Sequence, residues 1–264
     1  MLTLAGSKGA RTVIKFLHLH LLANWWLRRF PVVWTVPGST IKYRASRVDS
    51  LALAAEMFEA DAVYSTSGLP RTVQTFADLG CNVGYFACWL LARFKGAQLK
   101  GIMVDASAEA VEDARWLVSA NHLTKVHVLH GLAGMGATEK TATFYLHAAA
   151  VNSTAVPPPG ALREAFTWRA TQVPCLSIEH NWERLIGDVP CDLLKVDIEG
   201  SEADFFRNET AFLKRVRTIL VEWHKWSVSL GQVEKILAEQ DFALTLVLQE
   251  NSKCGTAVFW RKAA

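Results

Sequence analysis

The sequence is poor in the residues that mark disordered, fibrous or disulfide-linked proteins. Only 8 of its 264 residues are proline and 16 are glycine, which excludes a collagen-like chain. Charged residues make up 20% and hydrophobic residues 51%, which excludes a disordered one. A chain of this length buries roughly three quarters of its unfolded surface, so it can fold around one hydrophobic core.

Cysteine is equally scarce. The five cysteines are odd in number, widely spaced and free of any C-x-x-C pair; they are Cys81, Cys88, Cys175, Cys191 and Cys254. This pattern excludes a disulfide framework and argues against a zinc or redox site of the C-x-x-C type. It is typical of a reducing compartment, and we expect a cytoplasmic protein.

The chain also lacks a large charge excess and a run of apolar residues long enough to cross a membrane. Its net charge is +3, so nucleic acid is not expected as a partner. Residues 12–27 are rich in Leu and Trp but contain Lys15, His18 and His20, and they are shorter than the roughly 20 residues of a transmembrane helix. They fit either an amphipathic helix packed on the domain or a helix that makes peripheral membrane contact through residues 12–29.

From residue 73 onward, short apolar runs alternate with helical patterns. The predicted strands are Val73–Leu79, Leu99–Val104, Val126–Leu129, Leu193–Val196, Thr218–Trp223, Phe242–Leu248 and Thr256–Trp260. The predicted helices between them are Tyr85–Phe94, Ser107–Ala120, Glu202–Leu213 and Gln232–Glu239. The alternation predicts an α/β fold with a parallel sheet, and the polar turn between the last two strands predicts an antiparallel hairpin.

The pattern divides the chain into an N-terminal helical extension, residues 1–40, and one domain, residues 41–264. Residues 134–177 interrupt the domain with an inserted loop region that holds a predicted strand, Thr141–Leu146, a Pro-rich loop and the segment Trp168–Ser177. Long connections inside a compact domain are usually functional or mobile. We expect this insertion to be a substrate lid.

The first chemical motif is F-A-D-L-G-C-N-V-G-Y-F, residues 76–86. An acidic residue ends an apolar strand, and Gly80 and Gly84 allow a sharp turn that a ligand can approach. Asn82 replaces the second glycine of the dinucleotide fingerprint, so a pyrophosphate is not expected. Asp105 ends the next strand, where a carboxylate can accept both hydroxyl protons of a ribose. The motif therefore predicts a nucleoside site, unless Asp78 and Asp105 are only solvated acids at strand ends.

Two further motifs place ionisable residues at the ends of later strands. C-D-L-L-K-V-D-I-E-G-S-E, residues 191–202, carries Lys195, Asp197, Glu199 and Glu202, of which the first three alternate along the chain and share one side. V-E-W-H, residues 221–224, ends the following strand, so Glu222 and His224 should face the same crevice. Such groups are costly to bury unless they pair with one another or serve a site.

In this order and spacing, the motifs D-L-G-C-N-V-G-Y, L-L-K-V-D-I-E-G-S-E and V-E-W-H resemble the FkbM-type family of S-adenosylmethionine-dependent methyltransferases, over roughly residues 40–262. The resemblance implies the class I methyltransferase fold, a Rossmann-like seven-stranded sheet with helices on both faces and an antiparallel last strand. It also implies S-adenosyl-L-methionine as cofactor and a small-molecule hydroxyl, such as that of a sugar or polyketide, as acceptor. The family more often has Glu where this chain has Asp105.

The resemblance also implies site residues. Asp78, Gly80, Asn82, Gly84 and Tyr85 would line the methionine part of the cofactor, Asp105 and Ala106 would meet the ribose and adenine, and Gly131 and Leu132 would lie near the base. For the acceptor proton we rank His224 first, because its ordinary pKa lies near neutrality, and then Asp197 or Glu199. Lys195 would orient a carboxylate or the acceptor oxygen.

Other interpretations remain open at this point. Asp197, Glu199, Glu202 and His224 offer ligands to magnesium or manganese, although we expect no resident metal. The alternatives to a methyltransferase are a nicotinamide-dependent oxidoreductase and a non-catalytic module that binds a nucleoside or a partner. The sequence predicts neither the acceptor nor the oligomeric state.

Overall fold

The computed structural model describes residues 19, 21–58, 68–94, 98–134, 140–146, 153–155 and 169–262. Its strands are β1 (Val32–Thr35), β2 (Lys42–Ala45), β3 (Thr75–Leu79), β4 (Lys100–Asp105), β5 (Val126–His130), β6 (Leu132–Ala133), β7 (Thr141–Leu146), β8 (Arg169–Leu176), β9 (Cys191–Val196), β10 (Val216–His224), β11 (Phe242–Glu250) and β12 (Cys254–Arg261). Its helices are α1 (Val48–Phe58), α2 (Tyr85–Arg93), α3 (Ala108–Ala120), α4 (Ile178–Leu185), α5 (Glu202–Asn208), α6 (Thr210–Leu213) and α7 (Leu230–Ala238).

Seven strands form the main sheet, in the order β5–β4–β3–β9–β10–β12–β11. The five strands from β5 to β10 are parallel to their neighbours, whereas β12 is antiparallel to both β10 and β11. The predicted fold, with its antiparallel C-terminal hairpin, is therefore confirmed. Each predicted strand of this sheet is present, with ends shifted by a few residues.

Alternation along the central strands produces two apolar layers, one on each face of the sheet. In β3, Ala77 and Leu79 pack with helices α4 to α7, whereas Phe76 packs with α1, α2 and α3. In β9, Leu194 and Val196 join the first layer and Leu193 joins the second. Because successive side chains of a strand point to opposite faces, both faces need a cover, and helices supply it on both.

The chain order reverses between β3 and β9. From β3 the chain continues to β4 and β5 on one side, and it returns later to place β9 and β10 on the other. In open α/β sheets this reversal leaves a crevice beyond the carboxyl ends of the two strands. The first two sequence motifs follow those strands, so the topology brings them together.

The inserted region contains a second, smaller sheet in the order β6–β8–β7. The predicted strand Thr141–Leu146 is confirmed as β7, and most of the segment Trp168–Ser177 forms β8, which is antiparallel to it. Phe144 and Val173 pack against Ala106, at the end of β4. The Pro-rich loop and much of the remaining predicted lid lie outside the described residues.

One predicted helix is wrong. The region Glu202–Leu213 is not continuous but is divided into α5 and α6 by Glu209. The Glu209 carboxylate accepts hydrogen bonds from the backbone N–H groups of Ile178 and Glu179, at 3.1 and 3.4 Å. These groups begin α4 and have no partner within their own helix, so Glu209 stabilises a neighbouring helix at the point where its own is interrupted.

The N-terminal part of the described chain packs on α2 and α3. Residues 21–29 are helical, whereas residues 12–18 and 20 of the predicted segment lie outside the described residues. The predicted boundary at residue 40 falls in the turn that joins β1 to β2, and the Tyr85 hydroxyl donates a hydrogen bond to the Arg44 carbonyl of β2 at 2.7 Å. Within the described ranges, no helix combines the length and apolar character needed to cross a bilayer.

Gly80→Ala should destabilise the protein strongly. Gly80 has φ +72°, and a Cβ there would lie 1.6 Å from the Asp197 carbonyl oxygen. Gly187 has φ +98° but open space around it, so Gly187→Ala provides a control for backbone strain alone. We expect Gly187→Ala to lower the free energy of unfolding by about 1–2 kcal/mol, and Gly80→Ala by about 4 kcal/mol or more. Urea unfolding monitored by circular dichroism measures both, and equal effects would contradict the packing argument.

Candidate active site

A cavity lies beyond the carboxyl ends of β3, β4 and β9. Residues that the sequence motifs predicted form much of its wall, namely Gly80, Asn82, Tyr85, Asp105, Ala106, Gly131, Leu132, Lys195, Asp197 and Glu199. The topology therefore brings together two motifs that are more than 100 residues apart in the chain. Of the other predicted site residues, Asp78, Gly84 and His224 do not line this cavity.

The turn after β3 is shaped by close contacts between backbone segments. The Gly80 carbonyl accepts a hydrogen bond from Lys195 Nζ at 3.1 Å, and the missing side chain of Gly80 makes room for the Asp197 carbonyl. Asn82 takes a left-handed conformation with φ 47°, which Asn tolerates better than most residues. The expectation that Gly80 leaves space for a ligand is corrected, because protein backbone fills that space.

Gly84 also serves packing. A Cβ at this position would lie 2.7 Å from Met103 Cε and 3.2 Å from Leu117 Cδ1. Gly84 is the N-cap of α2, with φ 88°, so it allows the helix to begin close to β4 and α3. The structure thus separates the two glycines of the motif from the ligand contact that the sequence suggested for them.

Asp105 is held rigidly on the cavity wall. Its Oδ2 accepts a hydrogen bond from the Asn82 N–H at 2.8 Å, and its Oδ1 accepts one from the Ser107 N–H at 2.7 Å. Burial raises the pKa of this carboxyl, while the two hydrogen bonds act in the opposite direction. Each oxygen still has a lone pair that can accept a further proton donor. The arrangement presents a fixed pair of acceptors to a ligand in the cavity.

Lys195 bridges two carboxylates behind the cavity. Its Nζ lies 3.3 Å from Asp78 Oδ1 and 3.3 Å from Asp197 Oδ2. Asp78 is fully buried, and this burial raises its pKa to about 6 although the charge of Lys195 lowers it. Asp78 is therefore part of the support of the site and does not face the cavity.

His224 is enclosed by two carboxylates. Its Nδ1 lies 2.8 Å from Glu202 Oε1, and its Nε2 lies 3.2 Å from Glu199 Oε2. Burial alone would lower the pKa of His224, but the hydrogen bond with Glu202 and the charges of Glu199 and Asp197 outweigh burial and raise this pKa to about 10. The reason for ranking His224 first as a base is therefore wrong, because at neutral pH its imidazole already carries both protons.

Glu222 is the ionisable group of the third motif that lines the cavity. Burial and the neighbouring Asp197 carboxylate raise its pKa to about 7, against the smaller effects of a hydrogen bond with Cys254 and the charge of His224. A carboxylate whose pKa lies near the working pH is a more effective proton acceptor than an ordinary one. The sequence placed Glu222 at this sheet edge but gave no reason to rank it above His224.

The predicted metal ligands are only partly free to bind a cation. Ligand atoms of Asp197, Glu199 and His224 lie within 4.8 Å of one another. Glu202 is occupied, because its Oε1 also accepts a hydrogen bond from the Gly200 N–H at 3.0 Å. A protonated His224 has no lone pair for a metal, so at neutral pH these residues form ion pairs instead of a complete ligand set.

The motifs missed the side of the cavity formed by other segments. Leu53, Glu56 and Met57 of α1 line it, and so do Phe144 of β7 and Ser153. Residues 48–58 carry no chemical signature, so nothing in the sequence pointed to them. The alternation in β7 predicted a strand but not the site that it faces.

Comparison with protein families identifies the chain. The model of the methyltransferase FkbM domain matches residues 78–244, which include all three motifs and more than half of the sequence. The chain belongs to the FkbM methyltransferase family. A comparison with curated proteins gave no match.

Solved structures with similar folds include several methyltransferases. An FkbM methyltransferase from Methylobacillus flagellatus KT is 16% identical with a TM-score of 0.49, over 75% of this chain and 46% of that one. An O-methyltransferase of neocarzinostatin biosynthesis, in complex with S-adenosylmethionine and 2-hydroxy-5-methyl naphthoic acid, is 12% identical with a TM-score of 0.44, over 81% and 56%. M. capricolum TrmK, in complex with S-adenosyl-homocysteine, is 9% identical with a TM-score of 0.40, over 71% and 62%. This chain thus spans less than half of the Methylobacillus protein.

Lys195→Met should destabilise the FkbM-family domain in a pH-dependent way. The pKa of Asp78 is about 6 in the folded protein, above its ordinary value, so its contribution to stability falls as pH rises toward 6. Without Lys195 this fall should continue to higher pH, and we expect a loss of about 3 kcal/mol at pH 8. At pH 5 folded Asp78 is mostly protonated in both proteins, so the difference should nearly disappear.

Urea unfolding at the two pH values tests this expectation. Arg207→Met removes an exposed ion pair with Asp204 and should change stability by less than about 0.5 kcal/mol at either pH. A loss of stability in Lys195→Met that is the same at pH 5 and pH 8 would show that Asp78 does not depend on Lys195.

Proposed function

We propose that this protein is an S-adenosylmethionine-dependent methyltransferase that methylates a hydroxyl group of a small molecule. The observation that carries the proposal is the Asp105 carboxylate, which two backbone N–H groups fix on the cavity wall at the end of β4. Membership of the FkbM methyltransferase family supports the same reaction class.

The residues of the cavity fit this cofactor. A ribose offers two neighbouring hydroxyl donors, and Asp105 offers two acceptor oxygens that each retain a lone pair. Ala106 and Leu132 form a largely apolar wall beside Asp105, which suits an adenine ring. The carboxylates at the ends of β9 and β10 suit the positive charges of the methionine portion.

When bound, S-adenosylmethionine supplies an electrophilic methyl group attached to a positively charged sulfur. The task of the protein is to align the acceptor oxygen with that group and to accept the hydroxyl proton. We assign the proton to a carboxylate oxygen of Glu222, whose pKa of about 7 suits the transfer. As the acceptor oxygen forms its bond to carbon, its O–H bond breaks and the proton moves to Glu222.

The other predicted catalytic residues position this apparatus. Lys195 holds Asp197 at the edge of the cavity, and its contact with Gly80 links the turn after β3 to β9. His224 donates to Glu199 and Glu202 and so fixes the turn after β9. In this arrangement Asp197 and Glu199 bind the acceptor or the cofactor, and His224 acts through them.

Asp105→Asn should weaken cofactor binding. The substitution removes the negative charge but keeps the size of the side chain, and a hydrogen bond to a charged group is worth about 1.5–3 kcal/mol. We expect the Kd for S-adenosylhomocysteine, measured by titration calorimetry, to rise at least about 10-fold.

Two controls make this titration specific. Asp204→Asn lies on the exposed surface of α5 and should leave the Kd unchanged. NAD should give no binding heat with the unaltered protein if the site accepts no dinucleotide. Tight binding of S-adenosylhomocysteine by Asp105→Asn would remove the observation on which the proposal depends.

Glu222→Gln should reduce methyl transfer about 100-fold, because general base catalysis contributes about this much. In the unaltered protein the rate should rise with pH and level off above pH 7, since Glu222 must lose its proton to accept another. The measurement is the incorporation of labelled methyl groups into a metabolite extract between pH 5.5 and 8.5. Glu250→Gln, at the end of β11, provides a control outside the cavity, and a Glu222→Gln variant with an unchanged rate and pH profile would refute the assignment.

A further inference from the structure

An exposed apolar surface lies outside the cavity, on the helical residues 21–29 and the residue that follows. We name it the N-terminal apolar face and define it by Leu21, Leu22, Trp25, Trp26 and Phe30. The exposed fractions of Trp25 and Trp26 are 67% and 50%, and that of Phe30 is 56%. The rings of Trp26 and Phe30 lie 5.7 Å apart, so these side chains form a continuous patch. Patches of this kind on proteins in water mark interaction surfaces.

The opposite side of the same helical segment attaches it to the domain. Asn24 accepts a hydrogen bond from the Val48 N–H at 2.8 Å, Leu27 is 5% exposed, and Arg28 forms a 2.7 Å ion pair with Glu109 of α3. At 100° per residue, these three residues occupy one arc of the helix, and the N-terminal apolar face occupies the opposite arc. The domain therefore fixes the direction in which this face points.

Charge is distributed unevenly between this part of the chain and the rest. The first 48 residues contain eight basic residues and no Asp or Glu, and the remaining chain holds the other 20 basic residues and all 25 acidic ones. The eight are Lys8, Arg11, Lys15, Arg28, Arg29, Lys42, Arg44 and Arg47. Arg28, Arg44 and Arg47 pair with Glu109 or Asp113 of α3. Arg29 is exposed and shares the helical arc of Trp25 and Trp26.

We propose that the N-terminal apolar face binds the surface of a lipid bilayer that contains anionic headgroups. Tryptophan is enriched at the boundary between headgroups and acyl chains, because its ring is largely apolar and its N–H is polar. Helices that lie in this boundary combine such residues with Arg and Lys, which attract anionic lipids. The rings of Trp25, Trp26 and Phe30 enter the boundary, and Arg29 meets the headgroups.

The partner is chosen over a second copy of the chain on grounds of charge. Two copies joined through this face would bring two acid-free, basic segments together, and like charges oppose such a contact. An anionic membrane offers the complementary charge. This inference concerns a surface separate from the cavity, so it stands or falls independently of the proposed methyl transfer.

Flotation of the full-length protein with vesicles tests the proposal. We expect binding to vesicles of 70% phosphatidylcholine and 30% phosphatidylglycerol, and at least 10-fold weaker binding to pure phosphatidylcholine or in 0.5 M NaCl. Trp25→Ser with Trp26→Ser should weaken binding at least 10-fold, and Arg29→Glu about 5- to 10-fold. Trp226→Ser replaces a tryptophan of similar exposure elsewhere, at 51%, and should bind like the unaltered protein.

Two outcomes would overturn the proposal. One is equal vesicle binding by the unaltered protein and the Trp25→Ser, Trp26→Ser variant, or no vesicle binding by either. The other is a dimer, measured by light scattering, that this variant converts to monomer, because the face would then belong to a second copy. Circular dichroism of each variant establishes that the substituted proteins are folded.

Discussion

The candidate site depends on one buried ammonium group. Lys195 binds Asp78 at the end of β3, Asp197 after β9 and the Gly80 carbonyl of the intervening turn. These contacts cross the point where the order of the sheet reverses, so one side chain links both halves of the fold. Because the three partners are oxygen atoms in a largely buried region, removal of the cation leaves them without compensation. The shape of the cavity follows from this link.

The sequence predicted the architecture because its information is local. Alternation in strands such as β3 and β9 reflects two apolar layers, and the acidic residue after each strand reflects the polar end of the sheet. The protonation of His224 could not be predicted, because it depends on Glu202, which approaches from α5. The interruption at Glu209 was missed for the same reason, since its cause is the unpaired start of α4.

The cavity combines a part specified by motifs with a part that is not. The motif residues Asp105, Asp197 and Glu222 come from strand ends, where the backbone fixes their direction. The remaining wall comes from α1 and β7, at Met57 and Phe144, and α1 lies outside the matched family domain. A family assignment therefore informs the chemistry of the first part, while the shape available to an acceptor depends on residues particular to this chain.

The contact between Gly80 and Asp197 also bears on how related sequences should be compared. A glycine retained at this position across an alignment would be retained because any side chain collides with the neighbouring backbone, whatever reaction the protein performs. Such invariance would be shared by relatives that have lost catalysis but kept the fold. Divergence at Asp105 and Glu222 is thus more informative than identity at Gly80 for separating active enzymes from inactive descendants.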